Sequence, residues 1–215
     1  MIIELKNVSK KFGSLEIIKS INVKFEENKI YGIIGKNGCG KSVLLKMICG
    51  FYKPSSGEVL FNHENIIKNK VFAPDTRAVI ENPSFLPNLT GHENLKLLAS
   101  IQNKISDEII EKTLKDVNLW DEKDKKYSTY SLGMKQKLGI AQVLMEDPTV
   151  MIFDEPFNGI DEESKKKIRK LLKKLKDKII IIATHEKEDI ERLTNVTYEI
   201  KEGKIIQKNK SKDTR

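Results

Sequence analysis

An apolar run that ends in a glycine-rich loop places the strongest constraint on the fold of this chain. The run KIYGIIG at residues 29–35 is continuous, as in a strand buried on both faces, and the loop GKNGCGKS at 35–42 follows it directly. Residues 42–49 then have the pattern of a helix. The sequence therefore predicts a buried strand, a tight loop and a helix in direct succession.

The loop matches the pattern GxxxxGK followed by Ser or Thr at every defined position. In such a loop the glycines let successive backbone N–H groups point at phosphate oxygens, and the following helix adds the positive end of its dipole. We expect Lys41 to reach the β and γ phosphates and the Ser42 hydroxyl to bind Mg²⁺. The predicted nucleotide-binding residues of the loop are Gly35, Asn37, Gly38, Cys39, Gly40, Lys41, Ser42 and Val43. The chain is therefore predicted to bind a nucleoside triphosphate.

Two further continuous apolar runs, TVMIFD at 149–154 and KIIIIAT at 178–184, predict more strands that are buried on both faces. Residues 161–176 between them have helical spacing, which makes a strand-helix-strand unit with parallel strands. The first of these runs ends in Asp154 and Glu155. A carboxylate at the end of a parallel strand beside the phosphate loop is well placed to bind a metal ion, and we assign this role to Asp154. Glu155 is then free to activate the attacking water.

The remaining segments predict a second sheet and a helical region. Residues 2–8, 21–25 and 57–61 alternate apolar and polar side chains, as half-buried antiparallel strands do, whereas 90–146 has helical patterns with capping residues at their starts. The predicted fold is α/β, a P-loop NTPase core with a mainly parallel sheet, an antiparallel β subdomain and an inserted helical lobe.

Length and composition favour one domain. We expect it to span 1–208, with a core formed by 1–82 and 148–208, a helical lobe at about 83–147 and a polar tail at 209–215. The sequence lacks an apolar run near the roughly 18 to 20 residues of a membrane span, so we expect a cytoplasmic protein. The net charge of +8 indicates a lysine-rich solvated surface, with attraction to acidic lipids or a partner as the alternative, and nucleic acid is not an expected partner.

With these motifs in order, the sequence resembles the ATP-binding subunits of ABC transporters over about residues 2–206. The discriminating segment is YSLGMKQ at 130–136, which looks like the LSGGQ signature of that family, with Leu132 and Met134 at two of its positions. Ser131 and Gly133 are retained, and both lie at a predicted helix N-terminus, which is a second anion site. The resemblance implies an ATPase that uses ATP and Mg²⁺.

The resemblance also implies roles for single residues and for partners. Phe12 matches the aromatic residue that stacks on adenine, His185 the switch histidine that contacts the γ phosphate, and Asp161 part of the D-loop at 158–161. The family forms an ATP-dependent head-to-tail dimer, in which Ser131 and Gly133 of one copy close over the triphosphate of the other. The implied partners are therefore a second copy and separately encoded transmembrane permease subunits, with the chain peripheral on the inner face of the membrane.

Glu81 stands where the family usually has a glutamine that contacts Mg²⁺ or the attacking water. A glutamate at this position resembles the branch that exports bacitracin-like peptides and lantibiotics, and we assign Glu81 both a catalytic and a metal-binding role. A generic drug exporter of the same architecture remains an alternative. A soluble ABC ATPase that acts on ribosomes or DNA is a further alternative, although such relatives usually carry two ATPase domains or long coiled-coil insertions.

Overall fold

The structure is a computed structural model that describes residues 1–102, 104–191 and 193–208, and the chain forms two compact units. Unit 1 comprises Met1–Ile80, Thr149–Glu155 and the described residues from Lys176 onward, and unit 2 comprises Glu81–Pro148 and Pro156–Leu175. The predicted polar tail at 209–215 lies outside the described residues.

Unit 1 carries the strands. They are β1 (Ile2–Phe12), β2 (Leu15–Glu26), β3 (Lys29–Ile34), β4 (Ser56–Phe61), β5 (Glu64–Asn65), β6 (Thr76–Val79), β7 (Val150–Asp154), β8 (Ile179–Thr184), β9 (Val196–Lys201) and β10 (Lys204–Lys208). One sheet has the order β2-β1-β4-β5 with antiparallel pairing, and the other has the order β10-β9-β3-β8-β7-β6. In the second sheet β9, β3, β8, β7 and β6 pair in parallel, and β10 joins β9 antiparallel.

The helices are α1 (Lys41–Ile48), α2 (Gly91–Gln102), α3 (Asp107–Asp116), α4 (Leu132–Met145), α5 (Glu162–Lys174) and α6 (Lys187–Glu191). Helices α1 and α6 belong to unit 1, whereas α2 to α5 belong to unit 2. Short 3₁₀ helices at Trp120–Glu122 and Tyr127–Thr129 connect α3 to α4. This arrangement confirms the predicted fold class of a mainly parallel sheet with an antiparallel sheet and additional helices.

Apolar strands hold unit 1 together. Every residue of β8, with the sequence IIIIAT, is buried, as is every residue of β7. Each fully buried Ile or Phe side chain stabilises the fold by roughly 1.5–3 kcal/mol relative to an exposed one. The same hydrophobic core takes in Leu44, Leu45 and Ile48 of α1 and Phe25 of β2. The helix after the phosphate loop is thus fixed on the sheet by its apolar face.

The structure differs from the sequence prediction in element bounds, in the number of elements and in the extent of unit 2. The helical pattern that Ser106 caps runs to Leu119 in the sequence, whereas helix α3 ends at Asp116. The helix ends there because Asn118 has a positive φ of 58° and the Leu119 N–H turns back to the Leu114 carbonyl at 2.9 Å. Strands β5, β9 and β10 and helix α6 were not predicted. Unit 2 is also larger than the predicted lobe at 83–147, because it includes α5, whose Ser164 hydroxyl accepts a hydrogen bond from the Asn118 amide at 3.1 Å.

Both cysteines lie in the described part of the chain as free thiols. Burial raises the pKa of the Cys49 thiol to about 12, so this group stays protonated at neutral pH. Within residues 1–102, 104–191 and 193–208, no helix combines the length and the apolarity that crossing a membrane requires.

The start of α2 provides a test of the helix capping that the sequence predicts. The Glu93 N–H donates to the Thr90 hydroxyl at 3.1 Å, and the Thr90 N–H donates to the Glu93 carboxylate at 2.7 Å, which is a reciprocal capping box. We expect Thr90→Ala to lower the free energy of unfolding by about 1 kcal/mol. Urea unfolding followed by circular dichroism measures this change.

Ser106→Ala is the matched control, because Ser106 occupies the same position before α3 but its side chain makes no capping hydrogen bond. We expect this second variant to shift the urea midpoint clearly less. Equal shifts for the two variants would contradict the stabilising role of the Thr90 cap.

Candidate functional site

The carboxyl ends of three neighbouring strands in unit 1 bring the predicted site together. In the order β3-β8-β7, Ile34 pairs with Thr184 and Asp154 pairs with Ala183. The loop after β3, the Asp154-Glu155 pair after β7 and the residues after β8 therefore meet at one edge. Ligands of parallel α/β sheets bind at such an edge.

The glycine-rich loop turns sharply into α1. Gly40 precedes the helix with a φ of 107°, a left-handed value that side chains strongly disfavour, and the Leu44 N–H donates to the Gly40 carbonyl at 2.9 Å. A Cβ atom on Gly40 would also approach the Ile18 side chain to 2.8 Å. Residues Lys36, Asn37 and Gly38 are exposed at the tip of the loop. The loop thus presents its backbone to solvent immediately before a helix N-terminus.

Lys41 is the buried cation of this edge, with 6% of its surface exposed. Its Nζ donates to the Gly35 carbonyl at 2.8 Å and lies 3.5 Å from the Glu155 carboxylate. Burial of an ammonium group is costly unless it is paired and hydrogen-bonded. The loop carbonyl and the carboxylate therefore hold Lys41 at the mouth of the loop.

Ser42 and Asp154 are in direct contact, with the Ser42 hydroxyl donating to Asp154 Oδ2. Asp154 is 4% exposed and ends β7. A hydroxyl and a carboxylate oxygen are hard donors of the kind that Mg²⁺ prefers, and Mg²⁺ at phosphates usually takes few protein ligands. The two side chains that the sequence predicts as metal ligands thus converge and fit that ion.

Glu155 follows at the end of the same strand with a strained backbone. Its φ is 50°, in the left-handed region, and its N–H donates to the Ala183 carbonyl at 2.8 Å. The His185 N–H and Nδ1 lie 2.9 and 2.8 Å from Glu155 Oε1, and the Thr184 hydroxyl lies 2.7 Å from Oε2. Strained non-glycine backbone tends to occur at functional sites, because surrounding contacts must maintain it.

The predicted signature residues lie in unit 2, at the start of α4. The Ser131 hydroxyl accepts a hydrogen bond from the Met134 N–H at 3.3 Å, so Ser131 caps the helix as predicted. A Cβ atom on Gly133 would lie 2.2 Å from the Gly159 carbonyl. This close approach requires glycine at 133 and packs the signature against the D-loop.

A buried lysine joins the same two segments. Lys137 Nζ of α4 donates to Asp161 Oδ2 at 2.8 Å, while Asp161 Oδ1 accepts from the Ser164 N–H at 2.8 Å and caps α5. The hydrogen bonds from Lys137 and Ser164 hold the pKa of the Asp161 carboxyl below its usual range. Because this pKa is lowered, the contact stabilises unit 2 above the ordinary aspartate pKa of about 4 and is lost as the pH falls through the lowered value.

Phe12 and Glu81 are the two remaining predicted residues. Phe12 ends β1 with 46% of its surface exposed, and its ring meets that of Tyr52 edge-on at 5.7 Å between centroids. Lys10 Nζ lies 4.9 Å from the Phe12 ring centroid. Glu81 begins unit 2 as an exposed residue with a φ of 66°.

Sequence reasoning missed Thr184 and Lys137. Thr184 is a polar residue at the end of an otherwise apolar strand, immediately before His185, and this position is the signal that points to it. Lys137 gave no comparable signal, because a lysine on a helix is ordinarily solvated. Its burial depends on Asp161, which is 24 residues away in the chain.

The fold and this edge of phosphate loop, carboxylates and histidine define an ATPase of the ABC transporter class. The family model described as "ABC transporter" matches residues 18–158, and the chain belongs to that family. It is 38% identical over 210 residues to the bacitracin transport ATP-binding protein BcrA of Enterococcus faecalis, covering 96% of this chain and 68% of the relative. These findings confirm the predicted family and enzyme class.

Two further relatives differ in what their names say they transport. The lantibiotic transport ATP-binding protein SrtF of Streptococcus pyogenes is 31% identical over 206 residues, with 95% and 89% of the two chains covered. The spermidine/putrescine import ATP-binding protein PotA of Fusobacterium nucleatum subsp. nucleatum is also 31% identical, with 95% of this chain and 56% of the relative covered. The bacitracin and lantibiotic relatives agree with the branch that the sequence resembles.

Among solved structures, the fold is similar to that of the ATP-binding cassette MJ0796 in a dimeric post-hydrolysis state bound to ADP and phosphate. The TM-score is 0.86 at 24% identity, and the alignment covers 97% of this chain and 98% of that one. At this identity the likeness supports the fold.

The position of Lys41 leads to a binding prediction. Because its ammonium group lies at the mouth of the loop, we expect Lys41→Ala to weaken ATP binding by roughly 10- to 100-fold, the range for a hydrogen bond to a charged group. Equilibrium binding of a fluorescent ATP analogue measures the change, and thermal unfolding checks that the variant folds.

Lys36→Ala is the control, because this neighbouring lysine is exposed and its replacement removes the same charge. We expect it to bind the analogue within about threefold of wild type, the scale of screened surface charges. If Lys41→Ala bound as tightly as Lys36→Ala, the assignment of Lys41 to the phosphates would be wrong.

Proposed function

We propose that this chain powers an ABC exporter of peptide antibiotics of the bacitracin or lantibiotic type. The observation that carries the proposal is the edge formed by Lys41, Ser42, Asp154, Glu155 and His185, which has the groups that ATP hydrolysis needs. The exporter branch is supported by Glu81 and by the names of two relatives. The polyamine import relative makes import by the same architecture the second candidate.

In the proposed reaction, the loop N–H groups and Lys41 bind the β and γ phosphates, with Gly35, Asn37, Gly38, Cys39, Gly40 and Val43 as backbone neighbours. Ser42 and Asp154 would hold Mg²⁺, which supplies charge neutralisation at the phosphates. Glu155 orients the attacking water and accepts its proton, and His185 contacts the γ phosphate. Phe12 offers an exposed ring face for the adenine.

A second copy of the chain completes the proposed site. Ser131 and the Gly133 N–H lie at the N-terminus of α4, a 14-residue helix whose dipole favours an anion. We propose that these groups close over the triphosphate that another copy holds, in an ATP-dependent head-to-tail dimer. The packing of Gly133 on Gly159 would carry the D-loop into the same contact.

Transmembrane permease subunits are the proposed membrane partners, with this chain on the cytoplasmic face. Unit 2 presents Leu86 as an exposed apolar residue beside Phe85, whose ring packs on Tyr127 at 5.3 Å between centroids. An apolar surface of this kind suits docking of an amphipathic helix. We propose that it receives a cytoplasmic helix of the permease.

Antibiotic susceptibility tests the export proposal. A strain that lacks this chain should become more sensitive to bacitracin or to a lantibiotic, and wild-type protein, but not the Glu155→Gln variant, should restore resistance. Unchanged sensitivity to both, together with impaired polyamine uptake, would favour the import candidate. If the chain sedimented with ribosomes and not with membranes, the result would favour a soluble ABC ATPase that acts on ribosomes.

Glu155→Gln should separate binding from hydrolysis. We expect ATP affinity within a fewfold of wild type, and hydrolysis lower by on the order of 10² to 10⁴, the contribution of a positioned general base. ATP should then hold the variant as a dimer on a sizing column, because the product-forming step is blocked. Steady-state phosphate release and elution volume are the two measurements.

Glu188→Gln is the matched control, since it removes the same charge from an exposed residue of α6 in the same unit. We expect it to hydrolyse ATP at the wild-type rate. Wild-type hydrolysis by Glu155→Gln would contradict the base assignment, and a monomer at all ATP concentrations would contradict the dimer.

The glutamate at 81 leads to a separate prediction. A carboxylate within reach of Mg²⁺ attracts the metal and repels the γ phosphate, whereas an amide does neither strongly. We therefore expect Glu81→Gln to retain ATP binding, to shift the Mg²⁺ dependence of hydrolysis, and to reduce antibiotic resistance in cells. Glu108→Gln, an exposed glutamate in the same unit, is the control. An unchanged Mg²⁺ dependence with full resistance would remove the assigned role of Glu81.

A further inference from the structure

Thr184 ends β8 between the two strands that carry the phosphate loop and the carboxylates, and its side chain is 2% exposed. Its hydroxyl accepts a hydrogen bond from the Glu186 N–H at 3.1 Å and lies 2.7 Å from Glu155 Oε2. A backbone N–H only donates and an ionised carboxylate only accepts. The single hydroxyl proton is therefore directed at Glu155.

The other side chains that contact the Glu155 carboxylate have a proposed second task. His185 contacts Oε1 through its N–H and its Nδ1, and Lys41 Nζ lies 3.5 Å from the same oxygen. Both side chains are proposed to contact the phosphates of bound ATP. Thr184 is buried and hydrogen-bonded to the backbone of its own turn, so its contact with Oε2 does not compete with the nucleotide.

The backbone of Glu155 increases the need for such a contact. With a φ of 50°, the residue is in a conformation that a side chain disfavours, and contacts with the rest of the site must keep it there. The Glu155 N–H is held by the Ala183 carbonyl, which belongs to the residue directly before Thr184. The end of β8 thus fixes both the backbone and the carboxylate of Glu155.

We propose that Thr184 is a positioning residue for ATP hydrolysis, which holds the Glu155 carboxylate in the orientation that activates water. The proposal rests on the proposed role of Glu155 as the general base. Because Thr184 acts on Glu155 and not on the nucleotide, its hydroxyl affects kcat and leaves KM for ATP nearly unchanged.

The first arm of the experiment compares Thr184→Val with Thr184→Ser in steady-state ATPase assays of the full chain. Valine keeps the shape and removes the hydroxyl, whereas serine keeps the hydroxyl. We expect valine to lower kcat by roughly 10- to 100-fold, the range for a hydrogen bond to a charged group, with KM within about threefold. Serine should restore kcat to within about threefold of wild type. Wild-type kcat in Thr184→Val, or equal loss in both variants, would overturn the proposal.

Thr149→Val is the control for loss of a hydrogen bond from a threonine hydroxyl to a carboxylate. The Thr149 hydroxyl also donates to a carboxylate, that of Asp75, but at the amino end of β7, opposite to the site. We expect it to lower the thermal midpoint without changing kcat. If it reduced kcat as much as Thr184→Val, the effect would be one of general stability and the proposal would fail.

The second arm tests whether Thr184 acts through Glu155. In the Glu155→Gln background, Thr184→Val should change the residual rate by less than about threefold, because residues that act as a unit are not additive. A full additional loss would overturn the proposal while leaving the role of Glu155 intact. Wild-type hydrolysis by Glu155→Gln alone would instead overturn the role of Glu155, and this inference with it. If Thr184→Val does not fold, Thr184→Ala, which removes the hydroxyl without adding an apolar branch, takes its place in both arms.

Discussion

The parallel pairing of β3, β8 and β7 determines where the phosphate loop, the Asp154-Glu155 pair and His185 lie. Each residue of a strand advances the chain by about 3.3 Å, and a slip of one residue would also turn every side chain to the opposite face of the sheet. Here Ile34 stands opposite Thr184, and Asp154 opposite Ala183. Burial of β7 and β8 along their whole lengths makes any other register costly, since it would move apolar side chains out of their packing. The hydrophobic sheet thus fixes the chemistry at its edge.

The turn after β7 shows how this edge accommodates strain. Pro156 disfavours the right-handed helical conformation for Glu155, and the residue instead has a left-handed φ of 50°. Such a conformation costs on the order of 1–2 kcal/mol, which hydrogen bonds to the Ala183 carbonyl and from the His185 N–H can offset. The turn also marks the boundary at which the chain leaves unit 1 for unit 2. The strained residue is therefore both the proposed base and the last residue of the middle segment of unit 1.

Features that depend on local sequence could be predicted, and features that depend on distant segments could not. The strand, loop and helix at 29–49 follow from a continuous apolar run, glycines and helical spacing, and the structure contains them as β3, the loop and α1. Strand β9 was missed because VTYEIK mixes polar and apolar residues, and it is placed by pairing with β3, which is far away in the chain. The same distinction between local and distant segments applies to the residues of the candidate site. Ser42 and Asp154 could be paired from motif and strand end, whereas the burial of Lys137 against Asp161 requires two helices to be already packed.

The contact between Gly133 and Gly159 explains which departures from the signature motif the fold tolerates. A side chain at 133 would collide with the Gly159 carbonyl, so this position is restricted by the backbone of the D-loop. Leu132 meets no such restriction, because 52% of its surface is exposed and its side chain lies beside Gly159, which has no side chain. An anion at a helix N-terminus is bound by backbone N–H groups and by the capping hydroxyl, neither of which a leucine at 132 removes. The signature therefore tolerates a leucine at 132, where the proposed anion contact does not depend on the side chain. It keeps glycine at 133, where the backbone of α4 touches the backbone of the D-loop.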